Sequence, residues 1–177
     1  MNDTAKLLCF IYKNAEMGKR TLPQIIEKAQ HRSDSCTIGD TSCGASSISD
    51  VLDDSVECRP EFVDSLQSRL QKYEEICAEA ADLLRRENPD ADFDKLGQSN
   101  WEKAMTDTML YMNTRRDTTC SHLSDMLLKG SSMGVADIAK QMKKHPEASA
   151  QAMHLAEKLM KVEEDGITEM KKYLTAV

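Results

Sequence analysis

Apolar residues recur every three or four positions along most of this 177-residue chain, and no stretch alternates convincingly between apolar and polar. A period near 3.6 marks helices with one buried stripe, whereas a half-buried strand needs a period of two. The first such stretch runs from about Thr4 to Ala29, with Leu8, Ile11, Ala15, Gly18, Leu22, Ile26 and Ala29 on its stripe. Asn2, Asp3 or Thr4 can cap its free backbone donors. Pro23 falls inside it and predicts a kink or break near Thr21, because proline removes a helical hydrogen bond and crowds the preceding turn. A second helix is predicted from Pro60, with Phe62, Leu66, Leu70, Tyr73, Cys77, Ala80 and Leu84 on one face, until Asn88-Pro89 ends it. Ser99-Asn100-Trp101-Glu102 reads as a capping box, and the helix behind it carries Trp101, Met105, Met109 and Met112 inward and stops near Asp117. The next helix spans about Thr118 to Lys143, with Leu123, Leu127, Gly130, Gly134, Ile138 and Met142 on its stripe. The last starts at His145-Pro146 and is the most regular, through Ala148, Ala152, Leu155, Leu159, Val162, Gly166, Met170 and Tyr173.

The reading is all-α, with about five helices. Four of them are long, about 24 to 28 residues or roughly 36 to 42 Å at 1.5 Å per residue. The shorter one, Trp101 to Arg116, can carry the chain back along the bundle between the second and third long helices. That leaves the long helices up, down, down, up: a ferritin-like four-helix bundle with an extra crossover helix. The chain is read as one domain over residues 1–177. From about His31 to Cys58 the period disappears, and residues 32–57 form a Cys-, Ser- and Asp-rich insertion between the first two long helices. Loops of that length are uncommon in compact domains. Ser49-Asp50-Val51-Leu52 is the place where a docked turn of helix is expected if the segment is ordered.

Composition narrows the function. Aromatics are 5 % of the chain while Met reaches 11 residues, which suits a core of aliphatic and thioether side chains. The net charge of −7 argues against nucleic acid, whose phosphates need a basic face. No apolar run approaches the roughly 20 residues that span a bilayer, so no membrane is expected and the chain is placed in the cytoplasm. The six cysteines contain no CxxC pair, and mostly reduced thiols are expected.

Chemistry is sparse in the pattern. Helical bundles that bind iron place Glu-x-x-His pairs inward, yet His31, His122, His145 and His154 follow Lys28, Thr119, Met142 and Gln151 at that spacing. No catalytic constellation can be argued and no cofactor is expected. Helical projection turns Asp137 and Glu163 inward together with Arg69, between Leu66 and Leu70. An interior charge without a partner is too costly to keep, so these read first as a buried ion-pair network. The rival reading is a carboxylate metal site, diiron-like or manganese, around Glu163, Asp137 and Glu74. Missing imidazole and the repulsion of Arg69 weigh against it. Glu16, Glu75, His154 and Glu157 project outward in the same projection, and His122 and Asp125 stand one turn apart near a helix start, where a capping or orienting bond is expected. Gly130 and Gly134 imply the close approach of a neighbouring helix, since each costs about 1 kcal/mol relative to Ala inside a helix. His31, Cys36, Cys43 and Cys58 could supply four soft ligands to zinc, but their spacings of five, seven and fifteen fit no common module.

The segment Ser121-His122-Leu123-Ser124-Asp125-Met126-Leu127-Leu128-Lys129-Gly130-Ser131-Ser132-Met133-Gly134 resembles one in an uncharacterised family of small helical proteins from Gram-positive anaerobic bacteria. Leu155–Glu164, Met170–Leu174, Phe10–Ala15 and Leu70–Ile76 are similar to it too, so the likeness covers most of the chain except the Cys-rich stretch. The resemblance implies a ferritin-like bundle and no particular activity. Iron-binding relatives of that fold carry Glu-x-x-His on the last helix, whereas here Glu163 is followed at that distance by Gly166 and Glu164 by Ile167. The expectation is a non-catalytic binding or structural module, with the oligomeric state and any protein partner left open.

Overall fold

A computed structural model describes residues 2–34, 60–87 and 119–174, with side chains through residue 30 in the first segment. All elements among these residues are helical: α1 (Asp3–Asp34), α2 (Pro60–Glu87), α3 (Cys120–Lys144) and α4 (Ala150–Met170), followed by one 3₁₀ turn over Lys171–Tyr173. The predicted helix of residues 101–116, its capping box and most of the Cys-rich insertion, with Ser49–Leu52, lie outside the described residues.

Local chemistry sets the helix ends. Asn2 Oδ1 accepts from the Ala5 amide at 2.8 Å, so Asn2 caps α1. Thr119 and Ser149 do the same for α3 and α4, accepting from His122 and Ala152. Two boundaries differ from expectation. The helix α1 runs unbroken through Pro23 to Asp34, three residues into the expected insertion. Pro23 is exposed, on the side of a helix where a carbonyl deprived of its donor is most readily hydrated. The last helix starts at Ala150 and not at His145-Pro146, because His145 closes α3 by donating its amide to Gln141, and Ser149 is the better cap.

Side-chain contacts give the directions. Asn2 at the start of α1 donates to Glu87 at the end of α2, the Cys77 thiol reaches the Tyr12 carbonyl and Glu16, and Tyr73 lies against Gly18. Numbers fall on one helix as they rise on the other, so α1 and α2 are antiparallel. Pairs Glu79–Lys158, Lys72–Asp165 and Arg69–Glu163 make α2 and α4 antiparallel in the same way. The turn between α3 and α4 packs on the start of α1, where Ser149 donates to Thr4 Oγ1 at 2.9 Å and His145 Nδ1 stands 3.3 Å from Asp3. A turn this short forces α3 and α4 antiparallel. In chain order the four run up, down, down, up.

One continuous core joins all four helices. Leu7, Ile11, Ile25, Phe62, Leu66, Ile76, Leu123, Ile138, Leu155 and Leu159 are fully buried in it. Each contributes about 1.5–3 kcal/mol relative to exposure in water. At the end opposite the α3–α4 turn, Tyr173 stands edge-on to Phe62, ring centres 5.1 Å apart. No helix among the described residues is long and apolar enough to cross a membrane.

Candidate functional site

Halfway along the core, four polar side chains from three helices meet. Arg69 of α2 is 8 % exposed, Glu163 of α4 is 4 % and Ser131 of α3 is 2 %, with Tyr73 one turn beyond Arg69. Arg69 Nη2 donates to Glu163 Oε2, to Ser131 Oγ and to the Tyr73 hydroxyl at 2.5, 2.5 and 2.8 Å. Arg69 Nε donates to the same hydroxyl at 3.2 Å, and Tyr73 in turn donates to Glu163 Oε1 at 2.5 Å. Of the three charges expected in a buried network, Arg69 and Glu163 pair and Asp137 does not join them, while Tyr73 and Ser131 do. Burial pushes the Tyr73 phenol far above its usual range despite the pull of Arg69, with Glu163 adding to the push. Burial also works against the Arg69 charge, but Tyr73 and Glu163 outweigh it and hold the guanidinium above its ordinary value. Both groups keep their protons through the neutral range.

Glycines make the room. A Cβ on Gly18 of α1 would sit 2.6 Å from the Tyr73 ring, one on Gly166 of α4 would sit 2.6 Å from Arg69 Nη1, and one on Gly134 of α3 would sit 3.3 Å from Glu163. Each bulky polar group thus lies against a bare stretch of neighbouring helix. Arg69 Nη1 is buried beside Gly166 with no hydrogen-bond partner among the described residues. Beyond it a small cleft of about 290 Å³ separates α2 from α4, lined by Ser65, Ser68, Lys72, Asp165 and Glu169 among others.

On the other side of the network lies a larger cleft of about 560 Å³, between α1 and α3. Arg69, Tyr73, Ser131 and Glu163 form its floor. Its walls are Asn14, Met17, Gly18, Thr21, Leu22 and Ile25 of α1, and Met126, Leu127, Gly130, Met133, Gly134 and Asp137 of α3. Met17 and Met133, at 38 % and 69 % exposed, are the large apolar side chains most open to solvent among the described residues, and both line this cleft.

Several expectations need correction. Asp137 is exposed, while Ile138 beside it is buried as its place on the stripe predicted. The inward line of α3 follows the heptad Ser124, Ser131, Ile138, so Ser131 points into the core where Gly130 was expected. A Cβ on Gly130 would meet nothing within 4 Å, whereas Gly134 does face a neighbour. Glu74 is exposed on α2 and joins no site. Glu16 is buried rather than outward, because it lies on the α1–α2 seam, covered by Cys77 and held by Arg20 at 2.7 Å and Lys19 at 3.4 Å. Glu75, His154 and Glu157 are exposed as expected. Asp125 accepts from Lys129 at 2.6 Å, while His122 contributes its backbone amide to the Thr119 cap. Of the zinc set, His31 belongs to the last turn of α1, and Cys36, Cys43 and Cys58 lie outside the described residues. Of the three cysteines among the described residues, Cys9 and Cys77 are free thiols and Cys120 is disulfide-bonded. Burial, then Glu16, pushes Cys77 up to about 12, so it stays a protonated, poor nucleophile at neutral pH.

Among the described residues no three His, Cys, Asp or Glu side chains come close enough to hold a metal ion. The carboxylate trio of Glu163, Asp137 and Glu74 is dispersed, with Glu163 alone in the core and bonded to a guanidinium. Tyr73 and Ser131 were missed as polar members of the site. A tyrosine four residues after a core arginine was the signal available, since both then share one face of a helix. No family model, no curated protein and no solved structure matches this chain.

Proposed function

We infer that this chain is a non-catalytic binding protein on a ferritin-like bundle, and that its ligand is a small, largely apolar molecule held in the α1–α3 cleft. The helix directions support the ferritin-like reading. The observation that carries the binding reading is the cleft itself: apolar walls over a buried, mutually bonded polar floor, in the size range of small-molecule pockets. A non-catalytic role fits the floor, where Arg69 and Tyr73 hold their protons, Arg69 donates to Tyr73, and both donate to Glu163. General acid–base work needs a group poised near neutrality. The guanidinium on Glu163 also weighs against a metal at that carboxylate.

Gly130 supplies the test, because it lines the cleft yet has open space where a side chain would grow. Gly130→Leu should gain about 0.5–1 kcal/mol of helix stability. A leucine there leans toward the preceding turn, over Met126 and Leu127, and fills the cleft. Thermal melts with medium-chain alcohols, amines and acids should then separate the two proteins. A ligand at a hundredfold excess over its Kd stabilises by about 2.7 kcal/mol, and that gain should appear in the wild type and vanish in Gly130→Leu. Equal shifts in both proteins, or none in the wild type, would overturn the reading.

A further inference from the structure

The two ends of the α1–α3 cleft differ. Because α1 and α3 run antiparallel, Leu22 and Ile25 of α1 lie level with Met126 and Leu127 of α3, while Asn14 lies level with Asp137. One end is aliphatic and the other is polar. Arg69 and Glu163 cancel each other on the floor. Tyr73 is neutral and, among the described residues, no further basic side chain lines the cleft. Asp137 is exposed, has no ion pair or hydrogen bond among the described residues, and is the charge left uncompensated.

We propose that the cleft takes a slender cationic amphiphile, an alkyl chain bearing a protonated amine or quaternary ammonium, with its chain between Leu22, Ile25, Met126 and Leu127 and its head beside Asp137 and Asn14. This rests on the reading of the cleft as a ligand site. From Leu127 to Asp137 the rise along α3 is about 15 Å, which suits a chain of dodecyl length lying along the groove. Gly130 and Gly134 keep the middle of the path free of side chains on the α3 wall. Met17 and Met133 flank it, and flexible thioethers adapt to an alkyl chain at little cost. A carboxylate head in the same pose would meet Asp137 with like charge, and a hydroxyl would gain no ion pair.

Calorimetric titration of dodecylamine, dodecanol and dodecanoate, each below its aggregation threshold, decides the matter. The amine should bind the wild type about fivefold tighter than the alcohol, the yield of one exposed ion pair, and the acid should bind weakest. Asp137→Asn should level amine and alcohol while leaving binding intact, and Gly130→Leu should abolish binding of all three. Equal affinities in the wild type, or the acid tightest, would overturn the cationic head while leaving the cleft as an apolar site. Failure of every probe to bind the wild type would remove both readings. Amine binding unchanged in Gly130→Leu would place it elsewhere and overturn the proposal too.

Discussion

At the scale of single residues, the buried polar network depends on complementarity rather than on any one strong bond. Taking Arg69 and Glu163 out of water is expensive, and Tyr73 and Ser131 help to offset this by bonding Arg69 Nη2 and Glu163 Oε1, while Arg69 Nη1 keeps no partner among the described residues. Removing one partner is then worse than removing both. Glu163→Gln keeps the shape but leaves the Arg69 charge uncompensated, and should lower stability by about 3–5 kcal/mol. The double replacement Arg69→Met, Glu163→Leu should lose less than Glu163→Gln alone. Urea denaturation of the three proteins checks the order, and a double variant less stable than Glu163→Gln would show that the pair is not limited by its desolvation. Gly166 shows the same economy, since any side chain there would collide with the guanidinium.

At the scale of helix pairs, the α1–α2 seam carries its own charged residue. Burial alone would raise the Glu16 carboxyl, but Arg20 and Lys19 overcome it and hold the group below the usual carboxylate range. A carboxyl that binds its proton less tightly folded than unfolded stabilises the fold fully above the unfolded pKa. That contribution is lost as the pH falls through the folded pKa. The wild type should therefore exceed Glu16→Gln in stability at neutral pH by roughly 0.5–1 kcal/mol, the scale of partly exposed ion pairs. The gap should narrow below about pH 4. Urea midpoints at pH 7 and pH 3 test this, and a gap that stays constant would mean that Glu16 acts by packing alone. The adjoining helix explains why α1 survives Pro23. Ile25, Ile26 and Ala29 beyond the proline are buried, so packing holds the helix where propensity would end it.

At the scale of the whole molecule, every described helix contributes side chains to one core. Unfolding should then be a single transition. Far-ultraviolet circular dichroism and tyrosine fluorescence should report the same midpoint, and calorimetric and van't Hoff enthalpies should agree. Two midpoints would mark α1–α2 and α3–α4 as separately stable hairpins. The cleft also belongs to this scale. It lies where α1 and α3 pass over the Arg69–Glu163 network, with Gly18 of α1 and Gly130 and Gly134 of α3 in its lining.

The sequence by itself determined the presence of the four described helices, most of their buried stripes and the Asn2 cap, because helix formation is local and amphipathic periodicity survives in one dimension. It placed Arg69 and Glu163 in the core for the same reason, as their neighbours at helical spacing are apolar. Near the edge of a stripe that argument loses its grip. One residue turns a helix by about 100°, so the side of Asp137, or the order of Gly130 and Ser131, cannot be read when glycine offers no hydropathy signal of its own. Glu16 was misplaced because its cover comes from another helix. Only the tertiary structure decided that Tyr73 and Ser131 join the ion pair, that Glu74 and Asp137 stay apart from it, and that a cleft opens between α1 and α3. Those facts are set by how neighbouring helices approach one another, and that approach depends on pairs of residues far apart in the chain.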